Sequence, residues 1–357
     1  MKLKFWIGML ISIGCLYFVF RNIDIVKLLE TLHSVNYLYL LFAMALQLST
    51  IWLRAERWKY LLAPIKPLTF HHLVPATMIG FMANNLLPAR AGEFIRAYVI
   101  GKKEHISKTS SFATIILERV CDMITMLGFL LLVVLFIRFP QTSYAGASAS
   151  FLSPDLLKKA GGLSALIVLG ILVVLVLLKE FPQKTTAIAR RLLQPLPQSI
   201  SHNALKLLES FRTGLQVLKT GRHLLFLIFW SLMIWGMAVV TGWVILHAFA
   251  LNLSFMAAML MTVTTSFSVA IPSSPGYIGP FHAAISAGVL FFVPDMDKSV
   301  VAGIAIVFHL VCIVPITLAG LYYLWKENLS FAEIQHVDKN EEEVNSQKDF
   351  RVHPADV

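Results

Sequence analysis

Long apolar runs separated by short polar segments dominate this chain of 357 residues. Because the hydrocarbon core of a membrane is about 30 Å thick, such runs are typical of membrane-spanning helices. We interpret six of them as full transmembrane helices, namely Phe5–Phe20, Tyr37–Leu53, Phe112–Ile137, Gly161–Leu178, His223–Ala250 and Val300–Trp325. Two further apolar regions, His72–Ile100 and Ser254–Val293, are interrupted by Pro, Gly and Asn. The pattern therefore predicts an all-α polytopic membrane protein with about six transmembrane helices and two broken regions.

Each broken region contains a segment that a continuous helix cannot pass through. The first stops around Asn84–Pro88 and resumes as Arg90–Ile100, and the second stops around Ile271–Pro280 and resumes as Phe281–Val293. Irregular backbone at membrane depth is tolerated only where it is buried in protein or lines a polar cavity. We expect both regions to be re-entrant, although Pro and Gly could instead only kink two ordinary spans. The residues expected to shape the breaks are Pro88, Gly92, Pro275, Gly276 and Gly279.

The distribution of Lys and Arg predicts the orientation, because the cytoplasmic loops of membrane proteins are rich in both. With the N-terminus inside and both broken regions re-entrant, the inside segments carry 23 Lys and Arg residues and the outside segments carry 6. Both termini and residues 179–222 are then cytoplasmic, and residues 141–153 are outside. The two broken regions enter from opposite sides, which is compatible with an inverted repeat whose site lies at the midplane. The net charge of +10 is mostly this topology signal, so nucleic acid is not expected as a partner.

Two segments outside the predicted spans have patterns of their own. Residues 199–219 place apolar side chains at helical spacing, which predicts an amphipathic helix lying on the cytoplasmic leaflet. Residues 327–357 are polar and predict a disordered tail, which leaves residues 1–326 as one membrane domain. The sequence contains neither a nucleotide-binding loop nor a His and Cys spacing suited to zinc, so we expect no cofactor and no metal.

Two groups of charged residues lie in or near the membrane segments, where charge is costly and usually marks function. They are Arg90, Glu93 and Arg96 after the first break, and Glu118, Arg119 and Asp122 near the start of the third full span. Two interpretations stay open. In one, the groups form an internal network of ion pairs that fixes the re-entrant segment. In the other, one or more Arg side chains remain free to bind a phosphate with two parallel hydrogen bonds.

Other polar residues have simpler interpretations. The segment Arg54–Trp58 is typical of positive-inside residues and of the aromatic belt at a membrane surface. His247 and His309 stand alone on apolar faces, so we expect them to be packing residues. His282, which follows the second break, is less easily assigned to packing.

Three motifs resemble a known family when taken together and in this order. They are Asn85-Leu-Leu-Pro-Ala-Arg-Ala-Gly-Glu93 followed by Arg96, Glu118-Arg119 with Asp122, and Ser274-Pro-Gly-Tyr-Ile-Gly279. With these motifs residues 1–326 resemble the lysylphosphatidylglycerol synthase transmembrane region family, also called flippase-like domain proteins. The resemblance implies a prokaryotic membrane domain that moves aminoacylated phosphatidylglycerol between leaflets, while a separate cytosolic domain makes that lipid. Only 32 residues follow Trp325, too few for the synthetic domain, so we expect a stand-alone member that is not an enzyme.

The residues and the resemblance together predict a translocase for an anionic or phosphate-bearing lipid in the cytoplasmic membrane. Arg90, Arg96 and Arg119 would bind the head group, and Glu93, Glu118 and Asp122 would orient those Arg side chains. Freed backbone groups and substrate oxygens would be satisfied by Asn84, Asn85, Ser273 and Ser274. The alternatives are a membrane transferase acting on a phospholipid or polyprenyl-phosphate lipid, and an accessory subunit without transport. A homo-oligomer and a partner enzyme that modifies lipids are both compatible with the sequence.

Overall fold

Thirteen α-helices and one short 3-10 turn, Pro275–Tyr277, form the regular structure of the described residues. This computed structural model describes residues 2–21, 23–87, 90–137, 154–194 and 221–335, and the single residues 201 and 205. The helices are α1 (Lys2–Phe20), α2 (Ile25–Ser34), α3 (Tyr37–Leu62), α4 (Phe70–Leu86), α5 (Gly92–Glu104), α6 (Lys108–Phe136), α7 (Pro154–Glu180), α8 (Pro182–Leu193), α9 (Gly221–Ala248), α10 (Phe255–Ser268), α11 (Pro280–Phe292), α12 (Lys298–Lys326) and α13 (Phe331–Gln335). The predicted all-α class is confirmed.

Four of these helices, α3, α6, α9 and α12, are long and apolar enough to cross a membrane. A fifth span results if α1 and α2, which meet at an angle of 88°, count as one bent element. The predicted span Gly161–Leu178 lies within α7, which has 27 residues. The polytopic membrane character is therefore confirmed, with four or five candidate spans in the described residues where the sequence predicted six.

Ion pairs between loops define one end of the bundle, called here the Glu104 end. The Nζ atom of Lys66, just before α4, lies 3.0 Å from the carboxylate of Glu104 at the end of α5. The Nζ atom of Lys103 lies 2.6 Å from Glu327, which follows α12. The segments that the charge pattern predicted to be inside around residues 66, 104 and 327 thus lie at one end.

The opposite end, called here the Asp297 end, gathers segments predicted to be outside. Helix α2 is capped by Asp24, whose side chain accepts hydrogen bonds from the first turn. The Nζ atom of Lys27 in this helix lies 2.6 Å from Asp297, just before α12. The backbone N–H of Asn36 donates to the carbonyl of Ala248 at 3.0 Å. Helices α3 and α12 both run from this end to the Glu104 end.

The first broken region is a helical hairpin formed by α4 and α5. Both helices have their outer ends at the Glu104 end. With 17 and 13 residues they are about 25 and 20 Å long at 1.5 Å per residue, so neither crosses a 30 Å core alone. The close approach of the two helices requires glycine, because a Cβ atom at Gly92 would overlap the carbonyl oxygen of Gly80.

The second broken region is a hairpin formed by α10 and α11, and both of its outer ends lie at the Asp297 end. These helices have 14 and 13 residues and are again too short to span a membrane. Residues 269–279 connect them and contain the 3-10 turn. The two broken regions are therefore hairpins that enter from opposite ends, as the re-entrant interpretation predicted.

Two expectations about the cytoplasmic segments have different outcomes. The amphipathic helix predicted over 199–219 lies almost wholly outside the described residues, as do residues 336–357 of the predicted tail. The expectation of disorder was wrong for residues 327–335, because α13 packs against the bundle and Ile334 is 1% exposed. Its Glu333 accepts hydrogen bonds from Lys102 and Tyr98. The Lys102 hydrogen bond is the main cause that lowers the pKa of the Glu333 carboxyl.

Candidate functional site

The tips of the two hairpins meet inside the bundle. Arg90, whose backbone has a positive φ of 56°, donates from its guanidinium to the carbonyl of Val269 at 2.9 Å. Val269 caps the end of α10, so this bond joins the two tips directly. The side-chain amide of Asn85 donates to Thr317 of α12 at 3.0 Å. A Cβ atom at Gly276 would lie 3.6 Å from the carbonyl oxygen of Asn85, which places the 3-10 turn against the first tip.

The first tip satisfies its own backbone through Asn84. The side-chain oxygen of Asn84 accepts a hydrogen bond from the backbone N–H of Gly92 at 2.9 Å. Backbone N–H groups at the start of a helix have no partner within the helix, so this contact caps α5. Asn84 is thus placed where the sequence analysis expected it to serve freed backbone. Pro88, also assigned to this break, lies outside the described residues.

The second tip uses two glycines in conformations that other residues rarely adopt. Gly276 has a φ of 73° and Gly279 a φ of 102°. Pro275 begins the 3-10 turn between Ser274 and these glycines. The backbone N–H of Ser274 donates to the hydroxyl of Ser12 in α1 at 2.9 Å, so α1 holds this tip from the side. The second break therefore contains a 3-10 turn and two glycines with positive φ.

A buried ion pair links α5 and α6 next to the first tip. The guanidinium of Arg96 makes two contacts with the carboxylate of Glu118, at 2.6 and 3.3 Å. Both side chains are almost fully buried. The guanidinium carbon of Arg96 also lies 3.7 Å from the ring centroid of Trp58, a cation–π contact. In this geometry the two terminal nitrogens of Arg96 are bound to Glu118, and its buried Nε atom makes no hydrogen bond to the described residues.

The second buried carboxylate, Asp122, is surrounded by three guanidinium groups. Its oxygens lie 2.7 Å from Arg57, 3.2 Å from Arg119 and 3.5 Å from Arg54. The indole N–H of Trp235 donates a further hydrogen bond at 2.9 Å. Removing a buried ion from water costs several kcal/mol, and these contacts together offset that cost.

Arg119 lies at the open edge of this charge cluster, which comprises Arg54, Arg57, Arg96, Arg119, Glu93, Glu118 and Asp122. Its side chain is 31% exposed, and its Nε atom lies 3.6 Å from the carboxylate of Glu93. Glu93 lies in the first turn of α5, so the open edge of the cluster lies beside the tip of the first hairpin.

Most of the predicted site residues lie in this region, but the Arg residues predicted to act together belong to two separate groups. Glu93, Arg96, Glu118, Arg119 and Asp122 belong to the charge cluster, whereas Arg90 bonds to backbone at the tips. Ser273 is half-buried, and its backbone passes close to α1 at Gly8. Among the described residues, no group of three or more His, Cys, Asp or Glu side chains is arranged to hold a metal ion.

The main correction concerns Arg54 and Arg57, which the sequence analysis treated as residues of the membrane surface. They are 7% and 0% exposed and bind Asp122. The expectation failed because α3 continues to Leu62, nine residues beyond the predicted end of the second span, so both Arg residues lie on the inner face of a long helix. Their spacing of three residues, which places them on one helical face, was the signal that could have revealed them.

The comparisons with known proteins agree with the motifs. The profile of the family described as the lysylphosphatidylglycerol synthase transmembrane region matches residues 5–320. The chain belongs to this family. No solved structure matches the chain.

Several curated proteins are similar to this family member. A UPF0104 membrane protein of Pyrococcus horikoshii is 24% identical over 310 residues, which cover 82% of this chain and 88% of that protein. A UPF0104 membrane protein of Methanocaldococcus jannaschii is 29% identical over 134 residues, only 40% of its own length. The glycosyltransferase AglD of Haloferax volcanii is 25% identical over 260 residues, which cover 67% of this chain and 40% of AglD.

Proposed function

We propose that this protein is a lipid translocase that carries an anionic, phosphate-bearing lipid between the leaflets of a prokaryotic cytoplasmic membrane. The observation that carries the proposal is a buried charge cluster with surplus positive charge, open at Arg119, beside the junction of two re-entrant hairpins. A translocase must offer a polar head group a path through the hydrocarbon core, and charged side chains at membrane depth usually mark such a path.

The charge balance of the cluster favours an anionic ligand. Four guanidinium groups share three carboxylates, which leaves one formal positive charge among the ionised side chains. The Nε atoms of all four Arg side chains are buried and make no hydrogen bond to the described residues. A buried donor without a partner costs about 1–3 kcal/mol. An anion reaching the cluster from its open edge would supply both the missing charge and acceptors for these donors.

The position of the cluster favours transport over simple binding. Discontinuous helices that meet inside a membrane protein form the substrate sites of many transporters, and relative movement of their repeats exposes the site to each side in turn. Here the tips are held together by the Arg90 to Val269 bond and by the packing of Gly276 against Asn85. Movement of one hairpin against the other would break these two contacts.

The structure also suggests how the roles are divided. We assign Arg119 and Arg90 to the lipid head group, because Arg119 lies at the open edge and Arg90 at the joined tips. Arg96 is a positioning residue whose pair with Glu118 fixes α5 against α6. Arg54 and Arg57 hold Asp122 in the orientation that presents Arg119.

A membrane transferase is the second candidate, and the similarity to the glycosyltransferase AglD is the observation that favours it. That similarity covers only 40% of AglD. A general base must be free to accept a proton, whereas Glu118 and Asp122 are each held by Arg side chains. Glu93, 3.6 Å from Arg119 and 21% exposed, is the carboxylate of the cluster that a transferase would use as its base.

The test is a leaflet assay with the purified full chain in vesicles. A fluorescent phosphatidylglycerol placed in one leaflet should become accessible from the other faster than in protein-free vesicles. Arg119→Gln should lose most of this activity per mole of folded protein. Arg190→Gln, which changes an exposed Arg on α8, is the matched control and should retain it.

Mass spectrometry of the same vesicles distinguishes the two candidates. A translocase leaves every lipid chemically unchanged. If new lipid species accumulate upon addition of a sugar donor while leaflet exchange stays at the protein-free rate, the protein is a transferase and the proposal is wrong.

A further inference from the structure

Two buried histidines lie beneath the second hairpin tip, away from the charge cluster. His282 is in the first turn of α11 and His309 is in the middle of α12. They are 6% and 9% exposed, and their ring centroids are 4.7 Å apart. His309 stands alone on an apolar face of the sequence pattern, which predicted a packing residue, but the fold pairs it with His282.

Each imidazole holds the backbone of the tip by one hydrogen bond. Nε2 of His309 lies 2.6 Å from the carbonyl oxygen of Gly276. Nδ1 of His282 accepts from the backbone N–H of Gly279 at 3.4 Å, which caps the start of α11. The pair therefore holds both ends of the segment 276–279, in which both glycines have positive φ.

These bonds indicate which nitrogen carries the hydrogen in each neutral ring. A carbonyl oxygen only accepts, so Nε2 of His309 carries a hydrogen and, in the neutral ring, Nδ1 does not. Nδ1 of His282 accepts a hydrogen bond, so it carries no hydrogen and that ring is neutral. The pair thus offers two Nδ1 atoms at which one further proton can bind.

A proton bound at either Nδ1 atom changes the hydrogen bonds between the imidazoles and the second hairpin tip. On His282 it would place a donor against the N–H of Gly279, so the cap of α11 would be lost. On His309 it would turn the bond to Gly276 into a charge-assisted hydrogen bond, which is roughly twice as strong as a neutral one. Either change alters the balance between the two ends of the tip that meets the first hairpin.

The surroundings of the pair contain no local counter-charge. Phe20 of α1 and Phe281 of α11 pack against the rings. No Asp, Glu, Lys or Arg of the described residues forms an ion pair or hydrogen bond with either imidazole. Helix α10 carries no titratable side chain. Among the described side chains, the titratable or charged groups on the elements packed around the pair are Cys15 and Tyr17 on α1, Arg21 just after it, Tyr277 in the turn, Lys298, Cys312, Tyr322, Tyr323 and Lys326 on α12, Lys27, Glu30 and His33 on α2, His71 and His72 on α4, Tyr37, Tyr39, Arg54, Glu56, Arg57, Lys59 and Tyr60 on α3, and His247 on α9.

A polar side chain without a partner marks the same face of α11. Ser286 lies one turn beyond His282, is 9% exposed, and its hydroxyl makes no hydrogen bond to the described residues. Residues four apart share a helical face, so this hydroxyl lies on the same side of α11 as His282.

We propose that the His282–His309 pair is a proton-binding site that couples lipid movement to a proton gradient. The inference rests on the proposed translocase function and adds its energy source. A charge on the pair is unfavourable in its aromatic surroundings unless an anion lies nearby. An anionic head group at the joined tips supplies that anion, so the proton and the lipid bind together and cross as a nearly neutral unit.

The first experiment imposes a pH gradient on vesicles that contain the full chain and fluorescent phosphatidylglycerol. If one proton accompanies each lipid, a gradient of one pH unit shifts the equilibrium ratio of lipid between leaflets about tenfold. The double variant His282→Gln with His309→Gln should remove this shift, whatever its absolute rate, because Gln keeps a donor and an acceptor but binds no proton, whereas either single variant leaves one Nδ1 atom that can bind it. His247→Gln is the matched control and should respond as the wild type does. A wild type whose leaflet ratio ignores the gradient would overturn the coupling while leaving the translocase intact.

A second measurement does not depend on transport. The ¹⁵N spectrum of histidine in the detergent-solubilised full chain, assigned with the two Gln variants, reports the protonation of each ring between pH 5 and 8. With phosphatidylglycerol present, the pair should take up one proton, and the amide resonance of Gly279 should shift in step. If both rings stay neutral throughout this range with and without that lipid, the pair is only a packing feature, even if lipid transport is absent for another reason.

Discussion

Arg57 shows how a single residue can stabilise a cluster of buried charges. Its side chain has no exposed surface and contacts Asp122 at 2.7 Å, Glu118 at 3.9 Å and the hydroxyl of Ser231 at 2.9 Å. It joins the two buried carboxylates of α6 to the neighbouring helix α9. A buried cation of this kind is stable only while its partners remain, so the cluster responds as a unit when one member is removed.

Removing Asp122 should therefore destabilise the protein more than its size suggests. In Asp122→Ala the guanidinium groups of Arg54, Arg57 and Arg119 lose their shared partner, and breaking a buried pair costs about 3–5 kcal/mol. Thermal unfolding of the purified variant in detergent should show a clearly lowered midpoint. Lys102→Ala removes an exposed ion pair and should change little. Equal midpoints for the two variants would show that the cluster is hydrated.

From the sequence, the kinds of side chains at this site could be predicted better than the identity of all the residues that form it. Charged residues in apolar segments are visible in any sequence, so Glu118, Arg119 and Asp122 could be predicted to form pairs. Which Arg pairs with which carboxylate depends on the helix arrangement. Arg57 comes from a helix whose predicted end was too early.

At the scale of helices, both hairpins could be predicted because their breaks depend on local backbone chemistry. Pro and Gly disfavour a continuous helix wherever they occur, so the stops near Asn84 and Ile271 were visible in the sequence. Helix α2 and helix α13 were not predicted. They have 10 and 5 residues, and such short helices are stabilised by packing against the fold more than by their own sequence.

The packing of α4 against α5 should tolerate no side chain at Gly92. In Gly92→Ala the new Cβ atom would overlap the carbonyl oxygen of Gly80, with no flexible side chain able to yield. We expect a loss of at least about 1–3 kcal/mol in unfolding free energy, typical of overpacking, measured by thermal or denaturant unfolding.

Gly128→Ala is the control for this change. Gly128 lies inside α6 and nothing lies within 4 Å of an added Cβ. Alanine favours a helix over glycine by about 1 kcal/mol, so this variant should be as stable as the wild type or more so. If Gly92→Ala behaved like Gly128→Ala, the described approach of the first hairpin would be incorrect.

Movement of the second hairpin can be tested by joining it to α1. The hydroxyl of Ser12 lies 2.9 Å from the backbone nitrogen of Ser274, so a disulfide between these two neighbouring positions would join α1 to the tip. The double variant Ser12→Cys with Ser274→Cys should lose lipid movement when oxidised and recover it when reduced. Each single variant is a control and should not respond to oxidation. Undiminished movement in the fully cross-linked protein would exclude movement of this tip against α1.

At the scale of the whole molecule, the charge distribution predicted which loops gather together. The segments around residues 66, 104 and 327 share one end, and those around 27, 248 and 297 share the other. The spacing of apolar residues and the positions of Pro and Gly, together with the charges, were enough to predict which loops share an end. The contact between the hairpin tips was not predictable in detail, since it depends on residues more than 170 positions apart, such as Arg90 and Val269.

The orientation follows if the Glu104 end is cytoplasmic, as its Lys and Arg content predicts. In a background without Cys15, Cys121 and Cys312, a membrane-impermeant maleimide should label Asp295→Cys in intact cells. The exposed Ala63→Cys at the other end should react only after the cells are opened. The reverse labelling pattern would show that the Glu104 end lies outside the cell, which would invert the predicted topology.

The selectivity of lipid movement tests the central claim most directly. The wild-type chain in vesicles should move fluorescent phosphatidylglycerol faster than a phosphatidylcholine with the same fluorophore and acyl chains, because surplus positive charge favours an anionic head group. Equal rates for the two lipids, or rates no higher than those of protein-free vesicles, would contradict the account.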